Sequence, residues 1–413
     1  MAVSTGPDRA TAERPRLGPW SSAVTTYFLL VGSTAALLVF GLVMVLSSST
    51  ITSIAESASP YTEFLNQARF ALIGLPVMLV ATRIPVRWYK NLAWPGLVVA
   101  LVLQALTFVP ALSASKGGNA GWIRVPVIGT MQPAEIGKLV LAVWLGTVLG
   151  RKRHLLGRWN HALLPALPGA GGLLALILGG KDLGTAMVVM ALVAGAFWVA
   201  GIPAKLFGLM AGGAATLVVG VFIIGQSGGN RLSRIMAAYG PCTDTQGECY
   251  QSLHGMYGLG TGGLLGVGLG ASREKWRYLP EAHNDFIYAV IGEELGLFGT
   301  LTVLALFVIL GVAMSRLVRR HPDPFVQVTT AAVACWVVGQ AFLNIGVVIG
   351  VLPVIGVPLP LVSAGGSALV TTMAALGMII SFARTEPGTA EALAARGSVV
   401  RRSLAVLGRG RRR

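Results

Sequence analysis

Runs of roughly 20 nearly uncharged residues recur down this chain, and that recurrence limits its fold more than any other feature. Hydrocarbon offers no water to bond an exposed N–H or C=O, so each run must satisfy its backbone internally, as a helix. We place ten such runs near residues 24–46, 64–82, 92–109, 133–149, 162–179, 183–200, 204–225, 286–315, 325–350 and 364–383. Only 12% of the residues are charged, about half the share in soluble domains. The expected fold is all-α, a polytopic membrane protein of about ten transmembrane helices. Its parts are a tail at 1–22, a membrane domain over 23–384 and a basic tail at 385–413. A large extracytoplasmic loop, 226–284, separates spans seven and eight.

The net charge of +16 would suit a nucleic-acid partner, but its distribution follows the topology. Ten spans put 22 of the 32 Lys and Arg residues, and only five of the 16 acids, on one side. The positive-inside rule assigns that side, with both termini, to the cytoplasm. The chain is therefore expected in the cytoplasmic membrane, with membrane lipids and not nucleic acid as a partner. The first run follows Arg9, Arg14 and Arg16, as in a signal peptide. It exceeds an h-region and no small-residue cleavage site follows, so we read it as a retained span.

The 226–284 loop holds most of the outer polar residues, and loops of this length are usually functional. Arg231 and Arg234 stand near its start, and Lys275, Glu281, His283 and Asp285 at or just beyond its end. Between them lie Gly255, Gly258, Gly260, Gly262, Gly263, Gly266, Gly268 and Gly270. Gly258–Gly263 matches GxGxxG, but no strand precedes it, so nucleotide binding is not supported. The glycines fit a backbone that approaches something closely, or a flexible linker. Cys242 and Cys249 in the same loop admit either a bridge or two free thiols.

Asp285 falls where this loop enters the eighth span. An ionisable group at that depth is expensive and is a functional candidate, although a carboxylate there can also simply cap the helix. Ala289, Gly292 and Gly296 lie beneath it on one helical stripe, which can admit a neighbouring helix or leave a groove for a lipid tail. Glu293 and Glu294 fall off the stripe and are expected to pair with cations. Glu135 and Lys138, at i and i+3, begin the fourth span, and Asp182 begins the sixth. Cations gathered there suit a diphosphate, and the same residues can equally lock the bundle by pairing with each other.

Three strings carry a resemblance. The first is Leu279-Pro280-Glu281-Ala282-His283-Asn284-Asp285-Phe286-Ile287, running into Ile291-Gly292-Glu293-Glu294-Leu295-Gly296. The second is Gly339-Gln340-Ala341-Phe342-Leu343-Asn344-Ile345-Gly346. The third is Leu352-Pro353 through Val362-Ser363-Ala364-Gly365-Gly366-Ser367. With Gln132–Glu135 and Asp182–Thr185 in support, the chain resembles the SEDS (shape, elongation, division, sporulation) family of peptidoglycan glycosyltransferases over residues 24–384. The Pro-Glu-Ala-His form is nearer the division branch than the elongation branch, and the Ser-Ala-Gly-Gly string with Asp323-Pro324-Phe325 resembles its actinobacterial form. Gly180-Lys181 departs from the family's Gln-Pro, and Gly121 stands where an Arg usually precedes Trp122.

The resemblance implies polymerisation of lipid II at the outer face of the membrane, at the division septum. Asp285 would be the general base. Arg231, Arg234, Lys275, Glu281, His283, Glu135, Lys138 and Asp182 would contact substrate. A divalent cation (Mg or Mn) can share the leaving diphosphate, and no organic cofactor is implied. The implied partners are a class B penicillin-binding transpeptidase and other divisome proteins. A lipid II flippase and an elongation-type polymerase are the rival readings. Ionisable residues gathered at one end of the spans favour an enzyme over a transporter, which places them at the midplane.

Overall fold

The computed structural model describes residues 23–55, 59–116, 119–126, 129–157, 159–162, 164, 166–209, 211–213, 216, 249–276 and 278–389. Their helices are α1 Ala23–Ala55, α2 Thr62–Ala81, α3 Val86–Ala105, α4 Pro133–Arg151, α5 Trp159–Ala162 and α6 Leu167–Gly179. They continue as α7 Leu183–Ala200, α8 Tyr250–Gly262, α9 Ile287–Arg320, α10 Pro324–Val348 and α11 Gly366–Arg384. Among the described residues eight helices, α1 to α4, α7 and α9 to α11, are long and apolar enough to cross a membrane. The chain is a multi-pass membrane protein, as its apolar runs predict. The fifth expected span is only the 13-residue α6. Its Pro168 is tolerated in a first helical turn but not in a helix interior, which delays the start. The seventh, near 204–225, lies mostly outside the described residues, as do Arg231, Arg234, Cys242 and nearly all of both tails.

Burial separates the helices into a centre and a rim. The apolar windows of α4, α11 and α10 are 78%, 72% and 61% buried, against 28% for α2 and α3. The rim helices therefore present Leu72, Val80, Val98 and Val102 to lipid. Helix α10 packs on α7 and α4, α11 on α2, and α9 on α1 and α8.

Two expected loops are structured. Residues 111–132 carry a three-stranded antiparallel sheet, β1 Ser113–Lys116, β2 Asn119–Val125 and β3 Gly129–Met131, in that order. The all-α expectation is corrected to that extent. The cause is a period of two in β2, where Gly121 and Ile123 are buried while Arg124 is exposed. Helix α1 runs to Ala55, beyond the apolar run ending near 46. Ser49 and Thr50 return their hydroxyls to Val45 and Leu46 carbonyls, both at 2.6 Å, so the polar run stays helical.

The first half of the glycine-rich part of the large loop is helix α8, and its Gly258 and Gly262 meet α9. A Cβ at Gly262 would lie 1.9 Å from the Gly292 carbonyl oxygen, and one at Gly258 3.4 Å from that of Ala289. The small-residue stripe beneath Asp285 thus receives a helix. Cys249, just before α8, is disulfide-bonded, and Cys335 is free.

Helix α9 is broken at Gly296, whose φ of 66° and ψ of −160° suit glycine alone. The break frees carbonyls, and the turn after α8 satisfies them. Val267 N donates to Glu293 O at 2.9 Å and Gly268 N to Glu294 O at 3.0 Å. In return Leu297 N donates to Gly263 O at 2.9 Å. Backbone at membrane depth survives an interruption only when protein supplies such partners. The Leu297–Arg320 stretch alone is roughly 35 Å long and spans the hydrocarbon. The Ile287–Leu295 piece, with the sheet and α8, therefore forms a cap at one end of the bundle. At the opposite end Lys90 pairs with Asp323 at 2.7 Å, and burial holds the His321 imidazole below its ordinary range, against the pull of Asp323.

Gly260, on the same helix, has open space where a Cβ would go. Gly262→Ala should lower the melting temperature of the detergent-solubilised protein, with a cost of about 1–3 kcal/mol. Gly260→Ala should leave it equal or higher. Equal behaviour of the two variants would contradict the close α8–α9 approach.

Candidate active site

Asp285 stands two residues ahead of α9, in a run of tight turns. Asn284 N and Phe286 N both donate to Glu281 O, at 2.9 and 3.3 Å, and the Asn284 amide bonds the Glu281 carboxylate. Glu281 takes a left-handed φ of 56°, which turns the chain sharply. Glu281, His283 and Asp285 are thereby gathered in one turn, with Glu281 exposed and the other two half-buried.

Against this turn lies the segment between α10 and α11, which includes Pro353, Pro358 and Pro360. Prolines lack an N–H, and the segment follows neither helix nor sheet, so side chains must satisfy its backbone. Buried Asn344, on α10, donates its amide hydrogens to Asp285 O at 2.7 Å and Val357 O at 2.8 Å. Gln340, one turn earlier, donates to Pro358 O at 2.8 Å. Ser363 accepts from Leu359 N at 2.8 Å and donates to Asn284 O at 2.7 Å. Ala364 N donates to His283 O at 2.9 Å. Gln67 of α2 donates to Ser363 O and accepts from Gly365 N, both at 3.1 Å. Three groups, from α10 and the segment that follows it, therefore hold the main chain at residues 283–285. Gly356, at φ 68°, passes beside it, and a Cβ there would sit 3.5 Å from its Oδ2.

The other acidic and basic candidates among the described residues are engaged in the scaffold. Lys138 Nζ lies 2.8 Å from Glu135, with both side chains at most 5% exposed. It also donates to Gln340 Oε1 at 3.1 Å and sits 4.9 Å from the centre of the Trp336 ring. The locking alternative describes this pair. Through Gln340 the lock reaches Pro358 and so the segment facing Asp285. Asp182 caps α7, accepting from Thr185 N at 3.0 Å and Gln132 Nε2 at 2.7 Å. Lys275, expected at a diphosphate, is 3% exposed. Its ammonium contacts Glu294 at 2.8 Å, Gly270 O at 2.7 Å and Ser47 O at 3.2 Å. Glu293 accepts from Ser272 Oγ at 2.5 Å, Arg273 N at 2.8 Å and Glu274 N at 3.3 Å. Glu294 pairs with a cation as expected, whereas Glu293 is met chiefly by a hydroxyl and two amides. Both tie residues 272–275 to the upper piece of α9. Among the described residues no three His, Cys, Asp or Glu side chains gather where a metal ion could be held.

Sequence reasoning quoted Gln340, Asn344 and Ser363 in its motif strings without assigning them a role. Gln67 it did not single out. An uncharged amide inside an apolar run is the signal available, because such a group is buried only with partners.

A family model described as cell cycle protein, covering FtsW, RodA and SpoVE, matches residues 28–387. A probable peptidoglycan glycosyltransferase FtsW of Mycobacterium tuberculosis is 39% identical over 397 residues, 95% of this chain and 75% of that protein. A probable peptidoglycan glycosyltransferase FtsW of Halorhodospira halophila is 37% identical over 89% of this chain and 93% of that one. Among solved structures, a chain from work on the structural coordination of polymerization and crosslinking by a peptidoglycan synthase complex superposes with a TM-score of 0.68. It is 27% identical and covers 87% of this chain and 98% of that one. The rod shape determining protein RodA of Thermus thermophilus gives a TM-score of 0.64 at 25% identity, over 87% of this chain and 97% of that one.

Removing the Lys275 ammonium while Glu294 stays buried should cost about 3–5 kcal/mol. We expect Lys275→Met to lower the melting temperature sharply and to expose residues 263–276 to protease. Lys275→Met with Glu294→Gln should recover much of the loss. A single variant as stable as the parent would show that the pair bears no load.

Proposed function

The chain belongs to the FtsW, RodA and SpoVE family of cell cycle proteins, and on that footing we propose that it is a peptidoglycan glycosyltransferase of the division type. The reaction joins two lipid-linked saccharides. The 4-hydroxyl of the acceptor, lipid II, attacks C1 of the donor. An O4–C1 bond forms, the bond from C1 to the diphosphate oxygen breaks, and undecaprenyl diphosphate leaves with its electron pair. The hydroxyl proton passes to the Asp285 carboxylate, acting as general base.

One observation supports this role for Asp285 above all. Its carbonyl and those of residues 283 and 284 are bonded to three neighbouring groups, and its half-buried side chain lies beside Gly356. A base held by its backbone keeps its direction, which is what positioning for proton transfer requires. Glu281 and His283 share the turn and are the nearest candidates to orient the acceptor sugar. Arg231 and Arg234, or a magnesium or manganese ion, are the candidates for neutralising the diphosphate. Lys275 has its ammonium committed to Glu294 and two carbonyls.

The charge distribution supports cytoplasmic termini, which puts the Asp285 end of the bundle outside the membrane. A class B penicillin-binding transpeptidase is the partner expected at the septum, since crosslinking must follow polymerisation. A transport reading draws on the broken helix α9, because transporters interrupt helices at their substrate sites. Here turn 263–268 bonds the freed carbonyls, Glu294 beside the break is paired with Lys275, and Glu293 is bonded by a hydroxyl and two amides. That favours the enzyme.

Asp285→Asn should lower lipid II polymerisation by the purified chain with its transpeptidase at least ~10²-fold. The protein should stay folded, since the Asn344 bond is to the Asp285 main chain and the Ser363 bond to that of Asn284. Polymerisation at the parent rate would remove Asp285 from the chemistry. Loss of lipid II translocation in liposomes by a chain that never polymerises would favour transport instead.

A further inference from the structure

Beside the Asp285 turn is a second cluster that the glycosyl transfer step does not use. His254 of α8 places Nδ1 2.6 Å from Glu274 Oε2, and these side chains are 20% and 13% exposed. Three tyrosines surround the imidazole. Tyr250 has its ring centre at 4.2 Å, Tyr257 meets it edge-on at 5.6 Å and Tyr278 stacks on it at 5.9 Å with 15° between planes. Tyr257 and Tyr278 are each 54% exposed, and Trp276, in the same turn, is 60% exposed. The outcome is an open aromatic surface with one hydrogen-bonded His–Glu pair at its centre.

This surface is held rigidly and close to the reaction. The Glu293 carboxylate accepts from the Glu274 backbone N–H, Leu279 N donates to Glu274 O at 2.9 Å, and Lys275 is locked to Glu294. On α8 the residue next to His254 is Gly255. A Cβ there would lie 3.0 Å from the ring of Phe286, which follows Asp285 in the chain. One residue of α8 therefore separates the cluster from the catalytic turn.

We propose that His254, Glu274, Tyr257, Tyr278 and Trp276 form a saccharide-binding platform for the growing polysaccharide strand, a role that rests on the glycosyltransferase reading of Asp285. Pyranose rings present a C–H face that packs on aromatic rings and a rim of hydroxyls that needs donors and acceptors. Exposed tyrosine rings supply the first, and the His–Glu pair supplies the second. Aromatic residues also gather where proteins meet lipid headgroups. Against that occupant, the His–Glu pair at the centre of this cluster offers hydrogen-bonding groups that a polyhydroxyl ligand uses and a hydrocarbon surface does not. A strand held here would stay near Asp285 between additions, so the platform would set product length.

The test uses the full chain purified in detergent, with the soluble tetramer of β-1,4-linked N-acetylglucosamine as probe and calorimetry as readout. Tyr257→Ala with Tyr278→Ala should weaken tetramer binding about tenfold, the effect of two lost ring contacts. The same variant should shorten the strands made from lipid II. Tyr257→Phe with Tyr278→Phe keeps the rings and should retain both affinity and strand length, which separates ring loss from misfolding. Equal tetramer affinity in the Ala and parent proteins would overturn the proposal. So would a loss confined to binding of phosphatidylglycerol vesicles, which would mark the rings as a bilayer anchor. Asp285→Asn should still bind the tetramer. If that variant also polymerises, the base assignment fails while the platform result stands on its own.

Discussion

Every buried N–H and C=O in a membrane protein needs a protein partner, and this requirement shapes the molecule wherever its helices stop. Continuous helices meet it alone, and they form most of the bundle. The two interruptions that matter, at Gly296 in α9 and across residues 352–365, cannot. Each is closed by a dedicated set of donors and acceptors. A glycine-rich turn bonds the carbonyls of Glu293 and Glu294 at the first, and the amides of Gln67, Gln340 and Asn344 with the Ser363 hydroxyl serve the second. The candidate active site lies between these repairs, and its rigidity follows from them.

The buried charges serve the same end. Lys138 with Glu135, and Lys275 with Glu294, are withdrawn from solvent in scaffold pairs at 2.8 Å. Isolated, either charge would be costly to bury, and paired ones add little net stability over apolar residues. Their value is geometric. Glu135 holds Lys138, Lys138 orients Gln340 and Gln340 holds Pro358, while Lys275 and Glu293 fasten the turn that carries Glu274 to the upper piece of α9. Asp285 is left half-buried on a main chain that its neighbours fix. A fixed main chain suits the proton acceptor proposed at the membrane boundary.

Much of the fold was legible because hydropathy is a property of single stretches. Seven of the eight long helices start within two residues of the expected runs, and α3 begins at Val86 instead of 92. The sheet at 113–131 was missed, because its alternating segment is short and lies between stronger helical signals. The glycine run read as a close-approach backbone is one, but its form as helix α8 could not be seen without α9 to pack on. Among site residues, Glu281, His283 and Asp285 share a turn because they are neighbours in sequence. The pairing of Lys275, a diphosphate candidate, with Glu294 was not legible, because the two are 19 residues apart, beyond any local spacing rule. Gln67 meets Ser363 across 296 residues and carried no sequence signal beyond a polar group in an apolar run.

By itself, then, the sequence determined the solvent, the approximate limits of most long helices, the family, and the acid at a helix start. These depend on composition and on motifs that are local in the chain. Tertiary structure decided which charges are structural, what closes the broken helix, and that His254 and Glu274 come together among tyrosines. Those outcomes depend on which elements meet. Pairing across a fold is set by the packing of whole helices, and no window of residues contains that information.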